Sequence, residues 1–130
     1  MNTKILMTIS AVFTGAIALS LTFFPQEIIA KLEIEETPII TVLFQILGAL
    51  YFGFTLLNYM AKGSIIGGIY NKPIVIANFI HYVMTTLVLF KAFSSFTVQK
   101  NNLLVLAIIY AVLTLGFGYV FFNNPNKVKN

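Results

Sequence analysis

The segment IANFIHYVMTT, residues 76–86, carries the only histidine of the chain inside an otherwise apolar run. Asn78, His81 and Thr85 recur at i, i+3 and i+7, one stripe of a helix, with Tyr82 on its flank. Two uses fit an imidazole placed among an amide, a phenol and a hydroxyl. One is hydrogen bonding between helices, worth about 0.6 kcal/mol per bond in a membrane. The other is a pocket in which His81 and Tyr82 donate to the carbonyl or hydroxyl of a quinone, a lipid or another amphiphile. Asn58 and Tyr51, in the preceding apolar block, supply the second half of such a site. At about 1.5 Å per residue, His81 lies roughly 10 Å, Asn58 roughly 5 Å and Tyr51 roughly 15 Å from the same membrane face. The candidate ligand-binding set is therefore Asn58, Asn78, His81, Tyr82, Tyr51 and Thr85, while Gln45 falls in a different layer, with Thr86.

Other chemistry is removed by composition. There is no cysteine, so disulfides and thiolate catalysis are excluded, and one histidine with no carboxylate in the apolar blocks gives no metal-ligand cluster. No serine sits in a G-x-S-x-G turn. GSIIGG at 63–68 lacks the Lys-Ser/Thr ending of a phosphate loop. The first apolar block offers only Thr8, Ser10, Thr14, Ser20 and Thr22, which excludes carboxylate-driven proton exchange. No catalytic residue, no metal and no cofactor is expected.

The elements that position the histidine follow from the solvent. The 130 residues are 58% hydrophobic and only 9% charged, against about 25% charged in an average soluble domain. Residues 5–24, 39–61, 74–90 and 103–122 contain no formal charge. Each approaches the ~20 residues that cross about 30 Å of hydrocarbon as a helix, and the third reaches full length if Lys91 snorkels and the helix runs to Phe93. Backbone groups in hydrocarbon must bond within the segment, so helices are expected; a membrane β-barrel needs an alternation that these runs lack. The small-x-small triplet Ala16-Ile17-Ala18 resembles a signal cleavage site, but apolar character continues to Phe24, so the first span is expected to be retained.

The expected fold is all-α: one transmembrane domain, residues 1–130, with spans near 5–24, 39–61, 74–93 and 103–122 in an antiparallel four-helix bundle. Between the first two spans, PQEIIAKLEIEETP begins with a proline suited to a first helical turn, pairs Glu27 with Lys31 at i,i+4, and sets Ile28, Ile29 and Leu32 on one face. A short interfacial helix is expected there.

Alternating spans put Lys4, Lys62, Lys72, Lys127 and Lys129 on one side, and Lys31, Lys91, Lys100 and all four glutamates on the other. The lysine excess points to both termini in the cytoplasm of a bacterial inner membrane. Anionic headgroups account for the net charge of +4, and no basic stripe interleaved with aromatics suggests nucleic acid. Small residues at four-residue spacing, Ala11-Gly15, Ala49-Gly53 and Ala107-Ala111, mark seams for close helix approach. Besides the lipid bilayer, another membrane protein or a second copy through Ala49, Gly53, Ala107 and Ala111 is an expected partner.

FFPQE at 23–27, LGALYFG at 47–53 and IANFIHY at 76–82 together resemble the small four-span bacterial membrane proteins grouped as DoxX-like or Erg28-like. The resemblance covers most of the chain in layout. It implies an accessory partner of respiratory or lipid-modifying enzymes; the redox cysteines of some DoxX-like proteins have no counterpart here. The expected function is a non-catalytic scaffold or accessory subunit, the alternative a binder or carrier of a small amphiphile.

Overall fold

A computed structural model describes residues 2–123 except Ile65, Gly67 and the side chain of Ile69. Lys127 and Lys129 lie outside the described residues. Among the described residues the fold is all-α, with five α-helices in the order α1 (Thr3–Phe23), α2 (Pro25–Lys31), α3 (Pro38–Ala61), α4 (Lys72–Ala92) and α5 (Lys100–Phe122). α1, α3, α4 and α5 are each long and apolar enough to cross a membrane, which makes this a multi-pass membrane protein.

The helix boundaries have local causes. Asn2 Oδ1 accepts the Lys4 N–H at 3.0 Å and caps α1. Pro25 disfavours helical geometry at Phe24 (φ −128°) and opens α2 in the first turn, where its missing N–H costs nothing. α2 closes as a Schellman turn: the amides of Glu33 and Ile34 reach back to the carbonyls of Ala30 and Ile29 at 3.1 and 3.2 Å. That turn needs a left-handed residue, and Glu33 supplies it at φ 56°. Thr37 Oγ1 accepts the Ile40 N–H at 3.3 Å, with Pro38 at the first helical position, so α3 starts on a Thr-Pro cap. α4 starts two residues before the apolar run, at Lys72, and ends where Phe93–Ser95 form a single 3₁₀ turn.

The chain divides into two compact units, Thr8–Met60 and the remainder. In the first, α1 and α3 run antiparallel: Ser10 meets Asn58, Thr14 meets Thr55, and Thr22 meets Gln45. α2 adds the buried Pro25 and Ile29. In the second, α4 and α5 run antiparallel, with Phe79 against Phe121 and Thr86 against Thr114, and Leu6 of the first α1 turn packs against Gly116.

Candidate functional site

The six candidate residues fall in two groups. Asn58 and Tyr51 belong to α3 in the Thr8–Met60 unit; Asn78, His81, Tyr82 and Thr85 belong to α4 in the other. Asn58, Asn78, Tyr51 and Tyr82 are buried, whereas His81 and Thr85 are half-buried.

In the α1/α3 unit the polar side chains form a ladder across the seam. Asn58 Nδ2 donates to Ser10 Oγ at 2.7 Å, and both side chains are fully buried. One turn along, the Thr55 and Thr14 hydroxyl oxygens stand 3.0 Å apart across the seam, and each also lies 2.8 Å from a carbonyl of its own helix, Thr55 from Tyr51 and Thr14 from Ser10. At the far end Gln45 Nε2 reaches the Thr22 carbonyl at 3.5 Å; in the other unit Thr86 pairs with Thr114. Ser10, Thr14 and Thr55 were not singled out from sequence. Their spacing carried the signal: 10 and 14 at i,i+4, opposite 55 and 58 at i,i+3.

The seam is tightest at Gly48, which also escaped the sequence reading in favour of its neighbour Ala49. A Cβ at position 48 would stand 2.4 Å from Thr22 Oγ1, 3.0 Å from the Thr22 backbone nitrogen and 3.2 Å from the Ala18 carbonyl oxygen. Such approach puts Cα–H groups against oxygen and raises dispersion contact, the main sources of helix association where apolar burial supplies none. Ala18, whose carbonyl oxygen faces position 48, is buried on this seam, and Gly15 faces Thr55. Ala49 and Gly53 are exposed, and nothing lies within 4 Å of a Cβ built on Gly53.

In the α4/α5 unit the histidine sits among rings. The His81 imidazole centroid is 5.1 Å from that of Tyr82 and 6.0 Å from that of Tyr110, both edge-on. Tyr82 in turn lies 5.4 Å from Phe117 and 5.8 Å from Tyr110. Edge-to-face contacts of this kind are worth about 0.5–1.5 kcal/mol beyond area burial. Several polar groups on α4 bond back along their own helix: Asn78 Nδ2 to the Ile74 carbonyl at 2.9 Å, Thr85 Oγ1 to the His81 carbonyl at 2.8 Å, and Thr86 Oγ1 to the Tyr82 carbonyl at 2.7 Å. Since that bond uses the single Thr86 proton, the 3.2 Å Thr86–Thr114 contact is donated by Thr114. Tyr110 joins the set of ring partners; an isolated tyrosine in an apolar run gave sequence reasoning no periodic signal for it. Ala107 is buried and Ala111 half-buried, so this α5 stripe is turned at least partly into the fold.

Among the described residues no group of three or more His, Cys, Asp or Glu side chains is placed to hold a metal ion. Comparison with protein-family models, with curated proteins and with solved structures finds no match to the chain.

Proposed function

We propose that this protein is a non-catalytic accessory or scaffold subunit of a membrane assembly, docking a partner helix on the outward face of α3 around Ala49 and Gly53. One observation carries the reading. Only 11% of the α3 apolar window is buried, against 33% for α1 and for α5, although α3 bears a small-residue pair suited to close helix approach. Ala49 and Gly53 are one helical turn apart, so a second helix can approach the α3 backbone there. The polar ladder of Ser10, Asn58, Thr14 and Thr55 supports the same reading, because hydrogen bonds between α1 and α3 hold that face in place without supplying a reactive group. The resemblance to DoxX-like proteins implies an accessory role as well.

The test is affinity purification in mild detergents, with chemical cross-linking, of the wild type and of Gly53→Leu. The Gly53 Cβ direction is open, so the leucine leaves the fold intact and obstructs only the docked helix. Loss of the cross-linked species in the variant supports the proposal, and its mass separates a second copy from a different protein. Recovery of bare monomer from wild type in several detergents refutes it.

A second reading, the binding of a small amphiphile, is favoured by a half-buried imidazole held edge-on to two buried tyrosines. Native mass spectra of wild type and His81→Ala that differ by a retained quinone or lipid support it; identical spectra remove it.

A further inference from the structure

The Thr8–Met60 unit carries a groove that neither the polar ladder nor the outward face of α3 uses. Phe13, Ala16, Ile17, Ser20 and Leu21 of α1 line it together with Ile28 of α2, around a volume of about 310 Å³. Its origin is the break at Phe24. α1 stops at Phe23 and α2 starts at Pro25; the buried Pro25 and Ile29 fasten α2 to the unit, and Ile28 beside them bounds the groove. Ala16 and Ser20, one helical turn apart and both exposed, give the groove a low floor between the larger side chains of Phe13, Ile17 and Leu21. The only hydroxyl of the lining is turned onto its own helix, since Ser20 Oγ donates to the Ala16 carbonyl at 2.8 Å.

Depth and length select what can lie there. α1 has 21 residues, from Thr3 to Phe23. At about 1.5 Å per residue it matches about 30 Å of hydrocarbon. Phe13 is its midpoint, so the groove begins near the middle of the bilayer. Leu21 lies roughly 12 Å further along the axis. Ile28 belongs to the end where the chain leaves the membrane, because α2 follows α1 directly. The groove is therefore one leaflet long, on the side of the α1–α3 connection. A second spanning helix, about 10 Å across and ~20 residues long, would run into α2. An acyl chain has the reach of one leaflet and ends at its ester, at the level of α2. Water does not fill an apolar groove, and a void there would forfeit dispersion contact with its walls.

We propose that this groove seats one acyl chain of a bilayer phospholipid, with the chain lying along Ala16 and Ser20 and its ester end beneath Ile28. Bulk chains are as apolar as the lining, so the preference for the site comes from packing against fixed walls on several sides. The inference rests on the membrane-spanning fold; the docking face proposed for α3 and the His81 site play no part in it.

The test uses the whole protein ejected from phosphatidylcholine nanodiscs in a native mass spectrometer, with activation raised until loosely held lipid is stripped. Wild type keeps one phospholipid per chain. Ala16→Phe and Ser20→Phe, each at an exposed position on the floor, fill the groove and lower the retained lipid about tenfold, the factor set by about 1.4 kcal/mol of lost contact. Leu19→Phe adds the same ring at an exposed α1 position outside the lining and keeps the lipid. Two floor variants keep the test decisive if one of them fails to fold. Wild type that retains no lipid overturns the proposal, as does equal retention in both floor variants or an equal loss in Leu19→Phe. The chain has no cysteine, so Ala16→Cys provides a single thiol on the floor. A cross-link from it to a second copy or to another membrane protein, in place of retained lipid, assigns the groove to a protein and overturns the lipid reading.

Discussion

Gly48 provides the sharpest test of the α1/α3 seam. In Gly48→Ala the new methyl would stand 2.4 Å from Thr22 Oγ1, a clash that rotating the threonine side chain relieves. The 3.0 Å and 3.2 Å approaches to the Thr22 nitrogen and Ala18 carbonyl oxygen are to backbone, so no rotamer removes them and the helices must separate by some tenths of an ångström. Overpacking of this kind costs about 1–3 kcal/mol. Separation also stretches the 3.5 Å Gln45–Thr22 contact beyond hydrogen-bonding range. Alanine's helix preference over glycine, at most about 1 kcal/mol, offsets part of the loss. The expected net destabilisation is about 1–2 kcal/mol, a factor of roughly 5–30 in the folded-to-unfolded ratio. Because the chain has no cysteine, Ile9→Cys and Met60→Cys, both at exposed sites in the Thr8–Met60 unit, give a clean pair for fluorescent labels. Equilibrium unfolding in increasing dodecyl sulfate then reads the separation of α1 from α3. Gly53→Ala is the control, expected to be unchanged or stabilised by up to about 1 kcal/mol, because its methyl meets nothing within 4 Å and alanine is the better helix former. An unchanged midpoint for Gly48→Ala, or an equal shift for Gly53→Ala, refutes the seam.

Three further outcomes are expected. A double-mutant cycle of Asn58→Ala with Ser10→Ala should give a coupling energy of about 0.6–1.7 kcal/mol, the range of interhelical bonds in membranes, and zero coupling would contradict the 2.7 Å bond. Gly118→Ala should destabilise the α4/α5 pair more than Gly116→Ala: its methyl would press to 3.0 Å on the stacked ring of Phe79, whereas the 2.8 Å approach at position 116 is to the movable end of Leu6; thermal unfolding in detergent checks the order. Glu33→Gly should stabilise the α2 turn by up to about 1 kcal/mol, since glycine takes the left-handed geometry without a Cβ penalty. Slower hydrogen exchange at the Ile34 amide, which donates to the Ile29 carbonyl, is the readout; unchanged exchange counts against strain at that position.

The sequence by itself determined the solvent and the helices. Uncharged runs of span length admit helices in hydrocarbon, and Pro25 and Pro38 mark the helix starts around the first connection, down to the short α2 between them. It also marked Asn58, Asn78 and His81 as groups that hydrocarbon would not tolerate on its own side. Only the tertiary structure decided which face of each helix meets which neighbour. In a soluble helix a polar face and an apolar face settle that question; in hydrocarbon these helices are apolar around most of their circumference, so spacing yields candidate stripes without choosing among them. Hence Gly48 and not its neighbour Ala49 lies in the α1/α3 seam, Asn58 bonds to Ser10, and the His81 ring packs against Tyr110: each depends on helix rotation and height, which close packing sets and no local pattern encodes.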